Sequence, residues 1–177
     1  NALGLLRIFG RDLPKAEGFV EKLPMSSFRG TTKTQTYTGQ GSDLKIGYFV
    51  GCGVDVIQVE AGTATFESLK KIGKSVSVLN ICCCGLPPWS YGDIDNTKVL
   101  AEKNLQIFAE ADVDVIVTDC SSCASFLKEY KKVFADDPQK LELVEQTSAK
   151  IRDVVEFLYT SKFGVDEDKQ QEVVDSY

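Results

Sequence analysis

The chain reads as an α/β protein: a mostly parallel sheet with helices on both faces, in three layers. Three observations predict this. Strand-length apolar runs at 44–50, 75–81 and 113–118 alternate with stretches of helical spacing. The runs are apolar at nearly every position, as expected of strands covered on both faces. Each run is also followed by cysteine: Cys52 after the first, Cys82, Cys83 and Cys84 after the second, Cys120 and Cys123 after the third. The 177 residues suit one core with an appended arm.

Residues 1–10 read as the last turns of a helix, with Leu3, Leu6, Ile8 and Phe9 apolar. Pro14 suits the first position of a short helix from Lys15 to Lys22, which Leu23-Pro24 stops. Ser26 to Asp43 is polar and rich in Thr, Gly, Gln and Ser, and reads as an extended arm or linker. The first strand is Leu44 to Val50, and Gly51-Cys52-Gly53 turns out of it. Val59, Phe66, Leu69 and Ile72 share a helix face over Val59–Ile72, and Gly73 fits the C-terminal cap. Ser75 to Ile81 is the second strand. Asp93 can cap a long helix to Glu110, with Ile94, Ala101, Leu105 and Phe108 on one face. Val113 to Thr118 is the third strand. Ser121 or Ser122 then caps a helix to about Phe134, with Phe126, Leu127, Tyr130 and Val133 inward. Pro138 opens a helix to about Gln146, and Val154 to Leu158 reads as another.

The expected organisation is therefore a helical and extended N-terminal arm (1–43), a Rossmann-like cysteine-rich domain (44–164) and an acidic tail or linker (165–177). The chain opens without an initiator Met, and we expect it to be a piece of something longer. Its apolar start lacks the basic region and cleavage site of a signal peptide, and no apolar run is long enough to span a bilayer. Net charge is −6, which argues against nucleic acid or an anionic membrane as the main partner. The charge is uneven: residues 1–45 hold seven Lys/Arg against four acids, the remainder thirteen against twenty-two. The basic arm can attract the acidic body or serve as a docking surface.

There is no histidine. That excludes Ser-His-Asp and Cys-His catalysis and any imidazole zinc site. The six cysteines, without a secretory signal, point to reduced or metal-bound thiols in the cytosol. Adjacent cysteines cannot pair without a strained ring, so Cys83-Cys84 calls for metal, redox chemistry or burial. At the carboxyl edge of neighbouring parallel strands, where α/β sheets gather ligands, the thiols of Cys52, Cys83, Cys84, Cys120 and Cys123 converge. Cys123 falls in the first turn of a helix, which favours thiolate. Gly51, Gly53 and Gly85 let backbone N–H groups approach sulfur. Pro87 and Pro88 stiffen the loop, and Trp89 and Tyr91 are expected to pack over it. Cys82 reads as the end of a buried strand. Three alternatives stay open on these residues alone: an iron–sulfur cluster, a four-thiolate zinc site, and a Cys120-x-x-Cys123 dithiol. No catalytic residue is singled out.

Tyr48-Phe49-Val50-Gly51-Cys52, then Cys83-Cys84-Gly85-Leu86-Pro87, then Cys120-Ser121-Ser122-Cys123 resemble the cysteine-rich CCG domain of heterodisulfide reductase and its relatives. These include iron–sulfur subunits of glycolate oxidase, anaerobic glycerol-3-phosphate dehydrogenase and lactate-utilisation systems. The likeness spans roughly residues 44–135. The spacers are 30 residues from Cys52 to Cys83, at the short edge of the family pattern, and 35 from Cys84 to Cys120. Asn104, Ile107 and Phe108 lie where relatives keep an Asn and apolar helix residues.

Relatives typically carry two such repeats and often ferredoxin-type clusters; this chain has one repeat and no ferredoxin motif. The resemblance implies a noncubane 4Fe-4S-type cluster on Cys52, Cys83, Cys84, Cys120 and Cys123, with zinc as the alternative in some relatives. Aerobic handling can strip such a cluster. It further implies an electron-transfer module of a larger cytoplasmic oxidoreductase, not active alone. Its partners would be ferredoxin-type or flavin-containing subunits, reached directly or on the cytoplasmic face of a membrane complex. In the reductase such clusters are implied to cleave a disulfide one electron at a time; in the dehydrogenases they would pass electrons from flavin toward quinone.

Overall fold

In the computed structural model, residues 24–81 and 83–161 are described. The two helices expected before Leu23 and the acidic tail lie outside them, as does Cys82. Five strands form one sheet: β1 (Thr36–Thr38), β2 (Lys45–Phe49), β3 (Ser75–Val78), β4 (Val115–Thr118) and β5 (Ile151–Asp153). Their order is β1-β3-β2-β4-β5. β3, β2, β4 and β5 run parallel, and β1 lies antiparallel against β3. The chain steps from β2 to β3 on one side, then crosses back to β4 on the other. That reversal makes the carboxyl ends of β2 and β4 a topological switch point, the usual place for a ligand crevice in an open α/β sheet.

The continuous apolar runs reflect two buried faces. Alternate side chains point to opposite sides of a strand. Ile46, Tyr48, Val50, Val76, Val78, Val115 and Val117 enter one core, with Phe28, Val54, Phe66, Leu69 and Phe157. These come from α1 (Phe28–Thr32), α2 (Cys52–Val56), α3 (Val59–Ile72) and α9 (Val154–Thr160). Phe49, Ile116 and Ile151 enter the other core with Ala101, Leu105, Phe108, Phe126, Tyr130 and Val144. The covering helices there are α4 (Leu86–Ser90), α5 (Ile94–Glu110), α6 (Ser121–Lys128), α7 (Tyr130–Val133) and α8 (Pro138–Lys150). None of the described helices is long and apolar enough to cross a membrane.

Several expectations change. The polar stretch 26–43 is not a free arm. Phe28 is fully buried, β1 extends the sheet, and the turn after it closes the C-terminus of α3. Gln40 N–H donates to Lys70 O (2.7 Å), Ser42 N–H to Ile72 O (2.8 Å) and Gly39 N–H to Lys74 O (2.7 Å). The bonds to Lys70 and Ile72 use carbonyls that a helix end leaves without partners. A Cβ on Gly41 would stand 1.9 Å from Ile72 O, so glycine is required by the close approach of the two backbones. Gly73 sits at the α3 C-cap as expected, but with extended backbone. Space is the reason for glycine there: a Cβ would lie 2.7 Å from the Ile46 side chain. β3 ends at Val78. Leu79 N–H still donates to Tyr48 O (3.0 Å), so the ladder continues one residue before the cysteine loop begins. The helix expected to Phe134 is two, parted at Glu129. β5 was not foreseen.

Candidate functional site

Each cysteine loop is placed by a strand and by the helix that follows it. Gly51 turns the chain out of β2, and Cys52 is the first residue of α2, exposed at the rim. α2 is fixed from outside by Arg29. Its backbone N–H donates to Asp55 Oδ1 (2.8 Å) and its guanidinium to Oδ2 (3.0 Å), in a largely buried pair. Cys120, and not Ser121 or Ser122 as expected, takes the N-cap position of α6 after β4, without a side-chain cap bond, and Cys123 follows in the first turn, buried. Between these two loops lies Asp119. Its carboxylate accepts from the Tyr48 hydroxyl and from Gly51 N–H (3.4 Å), so it ties the β2 and β4 ends together. Burial raises the Asp119 pKa above the usual carboxylate range, against the Tyr48 hydrogen bond.

Cys83 is half-buried and Cys84 buried, at 3% exposure. Gly85 follows with φ +91°, ψ 0°, a left-handed conformation that favours glycine. It caps α4, whose first turn takes Pro87 and Pro88, so the expected stiff loop is a short helix. Trp89 packs on Phe126, with ring centroids 5.9 Å apart. Tyr91, expected over the loop, is instead 90% exposed: the α4 C-cap carries it out to solvent. Gly85 N–H reaches Cys83 Sγ at 3.4 Å. The carbonyls are held from behind. Asn104 Nδ2 donates to Cys83 O (2.9 Å) and to the Tyr130 hydroxyl (2.8 Å), and that hydroxyl donates to Cys84 O (2.7 Å).

The three loops bring the five described cysteines into one run. Side-chain interactions link Cys52 to Cys83, Cys83 to Cys84, Cys84 to Cys123, and Cys123 to Cys120. Cys120 also lies against Gly51, where an added Cβ would stand 3.0 Å from its own Cβ. All five are free thiols. Burial pushes the Cys83 thiol up to about 11, opposed by Gly85 N–H. The neighbouring Cys123 side chain lowers the Cys84 thiol to about 7, while Cys84 and burial raise the Cys123 thiol and keep it protonated. Within the Cys84–Cys123 pair one thiol is eased toward thiolate and the other held back, as closely spaced like charges require.

As the side chains stand, no group of three or more Cys, Asp or Glu among the described residues is placed to hold a metal ion. The thiols face one another instead. Taking up a metal requires them to lose protons and turn toward a shared centre. The donor set suits a thiophilic metal: five sulfurs in a chain with no imidazole. The network behind them was only partly legible. The sequence marks Asn104 by its place in the resemblance and Tyr130 as an inward helix position, but nothing in it signals the hydroxyl's partner or the role of Asp119 beside Cys120.

The profile of the CCG family, the cysteine-rich domain, matches residues 46–128, a stretch that contains all five thiols. These residues form a CCG cysteine-rich domain. Lactate utilization protein A of Geobacillus thermodenitrificans (strain NG80-2) is 34% identical to the chain over 116 residues, 65% of this chain and 48% of that protein. The same protein of Geobacillus kaustophilus (strain HTA426) matches to the same extent. That of Bacillus cytotoxicus is 30% identical over 116 residues, with the same shares covered. The chain thus spans about half the length of the curated relatives it matches. No solved structure matches it. Within the CCG domain, the switch point holds Cys52 on one side and Cys120 on the other, with Cys83 and Cys84 arriving from β3.

Proposed function

We propose that the CCG domain holds an iron–sulfur cluster through Cys52, Cys83, Cys84, Cys120 and Cys123 and serves as an electron-transfer module of a larger oxidoreductase. One observation supports this most: cysteines from three separate strand ends gather at the switch point of the sheet, five where four would complete a zinc site. When bound, a noncubane 4Fe-4S-type cluster supplies single-electron storage and transfer. The chain's own residues do the rest. Cys83 and Cys84 offer two sulfurs from one loop, Gly85 N–H faces the first of them, and Asp119 holds the two flanking loops at a fixed separation. Cys52 and Cys120, at the rim, face a partner. Ferredoxin-type or flavin-containing subunits suit that role, and the likeness to lactate utilization protein A makes a lactate-utilization assembly the first to try.

Structural zinc is the second reading, favoured by the all-thiol donor set. Anaerobic purification followed by iron, labile-sulfide and zinc analysis separates the two. We expect iron and sulfide in comparable amounts. About one zinc per chain without labile sulfide overturns the cluster in favour of a closed four-ligand site. If neither metal is found and only Cys120 and Cys123 oxidise reversibly, the pair is a dithiol.

A further inference from the structure

We propose that Tyr130 and Asn104 are positioning residues for the cysteine pair, acting through the Cys84–Gly85 peptide group to aim its N–H at the Cys83 sulfur. A peptide group is planar and trans, so its C=O and N–H point in opposite directions. The Cys84 carbonyl and the Gly85 N–H belong to one such plane. Tyr130 holds one end of it, its hydroxyl donating to Cys84 O at 2.7 Å. The other end meets Cys83 Sγ at 3.4 Å. Turning the carbonyl into the core therefore turns the N–H toward sulfur. The left-handed φ of Gly85 allows this rotation without a side-chain clash.

The holder is itself held. One amide hydrogen of Asn104 goes to the Tyr130 oxygen (2.8 Å) and the other to Cys83 O (2.9 Å). Both side chains are buried, and among the described residues no buried side-chain N or O lacks a partner. Tyr130 is wedged edge-on between Phe126 (5.6 Å) and Phe134 (6.5 Å). The two residues come from α5 and α7, so the pair is registered against the body of the domain and not against its own loop. A donor on a carbonyl polarises the peptide and strengthens the hydrogen bond that its N–H donates. Hydrogen bonds to ligand sulfur are among the features that set the potential of a thiolate-held cluster. On the cluster reading above, the Tyr130 hydroxyl thus tunes the redox centre without touching it.

Two measurements test this, chosen so that failure of the positioning and failure of the cluster reading look different. In the reduced, metal-free chain, the Gly85 amide is followed by NMR and hydrogen exchange. Tyr130→Phe is expected to shift that resonance and speed its exchange about tenfold, the loss of one such bond. Asn104→Ala should move it in the same direction. Phe134→Leu, which loosens the packing on Tyr130 away from Gly85 without removing a donor, should leave it in place. An unchanged Gly85 amide in Tyr130→Phe overturns the proposal whatever metal the site holds. In iron- and sulfide-loaded protein, Tyr130→Phe should load to the wild-type level with a more negative reduction potential, while Phe134→Leu keeps the wild-type potential. Equal potentials in all three also overturn it. If the wild type takes no iron, the cluster reading fails and the amide experiment still decides.

Discussion

Gly85 fixes the register of the cysteine triplet. With its φ at +91° it turns the chain into α4, and Cys83 and Cys84 precede it on the crevice side. Any side chain there strains the backbone, so Gly85→Ala should cost about 1–2 kcal/mol, read as a lower denaturation midpoint in the metal-free chain. A wild-type midpoint would mean that the turn relaxes and glycine is not needed. Register also predicts the outcome of thiol substitution. Cys83→Ser and Cys84→Ser should each abolish iron loading, whereas Cys82→Ser should retain it. Loss in the Cys82 and Cys83 variants with iron retained in Cys84→Ser would move the pair one residue back. The identity of the pair was readable, because glycine and the two prolines punctuate the sequence there. The hydroxyl of Tyr130 was not. At an inward helix position Tyr and Phe fit the same apolar pattern, and only the fold shows that the ring ends beneath Cys84.

At the scale of elements, long helices and buried strands declared themselves and short ones did not. α3 and α5 carry several turns of periodic apolar positions, and their ends have cap residues. β1 and β5 are three residues each, too short for any period to show. Their pairing is decided by neighbours distant in sequence: Thr36 faces Ser77 and Ile151 faces Ile116. The stretch 26–43 looked like a linker because it is polar, but its work is done by backbone N–H groups and by buried Phe28, which composition hides. α5 matters most to the site because it carries Asn104. Its cap, Asp93, accepts from Asn96 N–H (3.2 Å) and from the Asn96 side chain (2.7 Å), which lower its pKa. A carboxyl lowered on folding stabilises the native state above its unfolded pKa, and that contribution fades as pH falls through the folded value. The start of α5 should therefore loosen below about pH 4, the ordinary Asp range. Protection factors at Thr97 and Lys98, taken against the intrinsic exchange rate at each pH, should fall on acidification in the wild type, and should be low already at neutral pH in Asp93→Ala. Equal protection in both at pH 7 would show the cap to be idle.

Taken whole, the molecule draws its thiols from points far apart in the chain: Cys52 and Cys123 are 71 positions apart, with Cys83 and Cys84 between them. Only the parallel order β3-β2-β4 brings them together. The edge on which they meet could be inferred from sequence, since each cysteine follows a strand. Which thiols touch could not, because that depends on how α2, α4 and α6 leave the sheet. A ligand that needs all three loops binds the folded chain and not the unfolded one, so it stabilises by mass action, by about 2.7 kcal/mol at a hundredfold excess over Kd. For a chain of this length that corresponds to a rise in Tm of roughly 5–10 °C. Removing metal with a chelator under anaerobic, reducing conditions should lower Tm by that order, and reloading should restore it. Cys52→Ser, Cys84→Ser and Cys123→Ser, one from each loop, should each erase the difference while keeping a single cooperative transition. If loaded and metal-free chains melt together, the loops are already held by Asp119, Arg29 and the two cores, and the thiols do not bind as a set. If only Cys123→Ser erases the difference, the metal sits on the Cys120–Cys123 pair and the other two loops are bystanders.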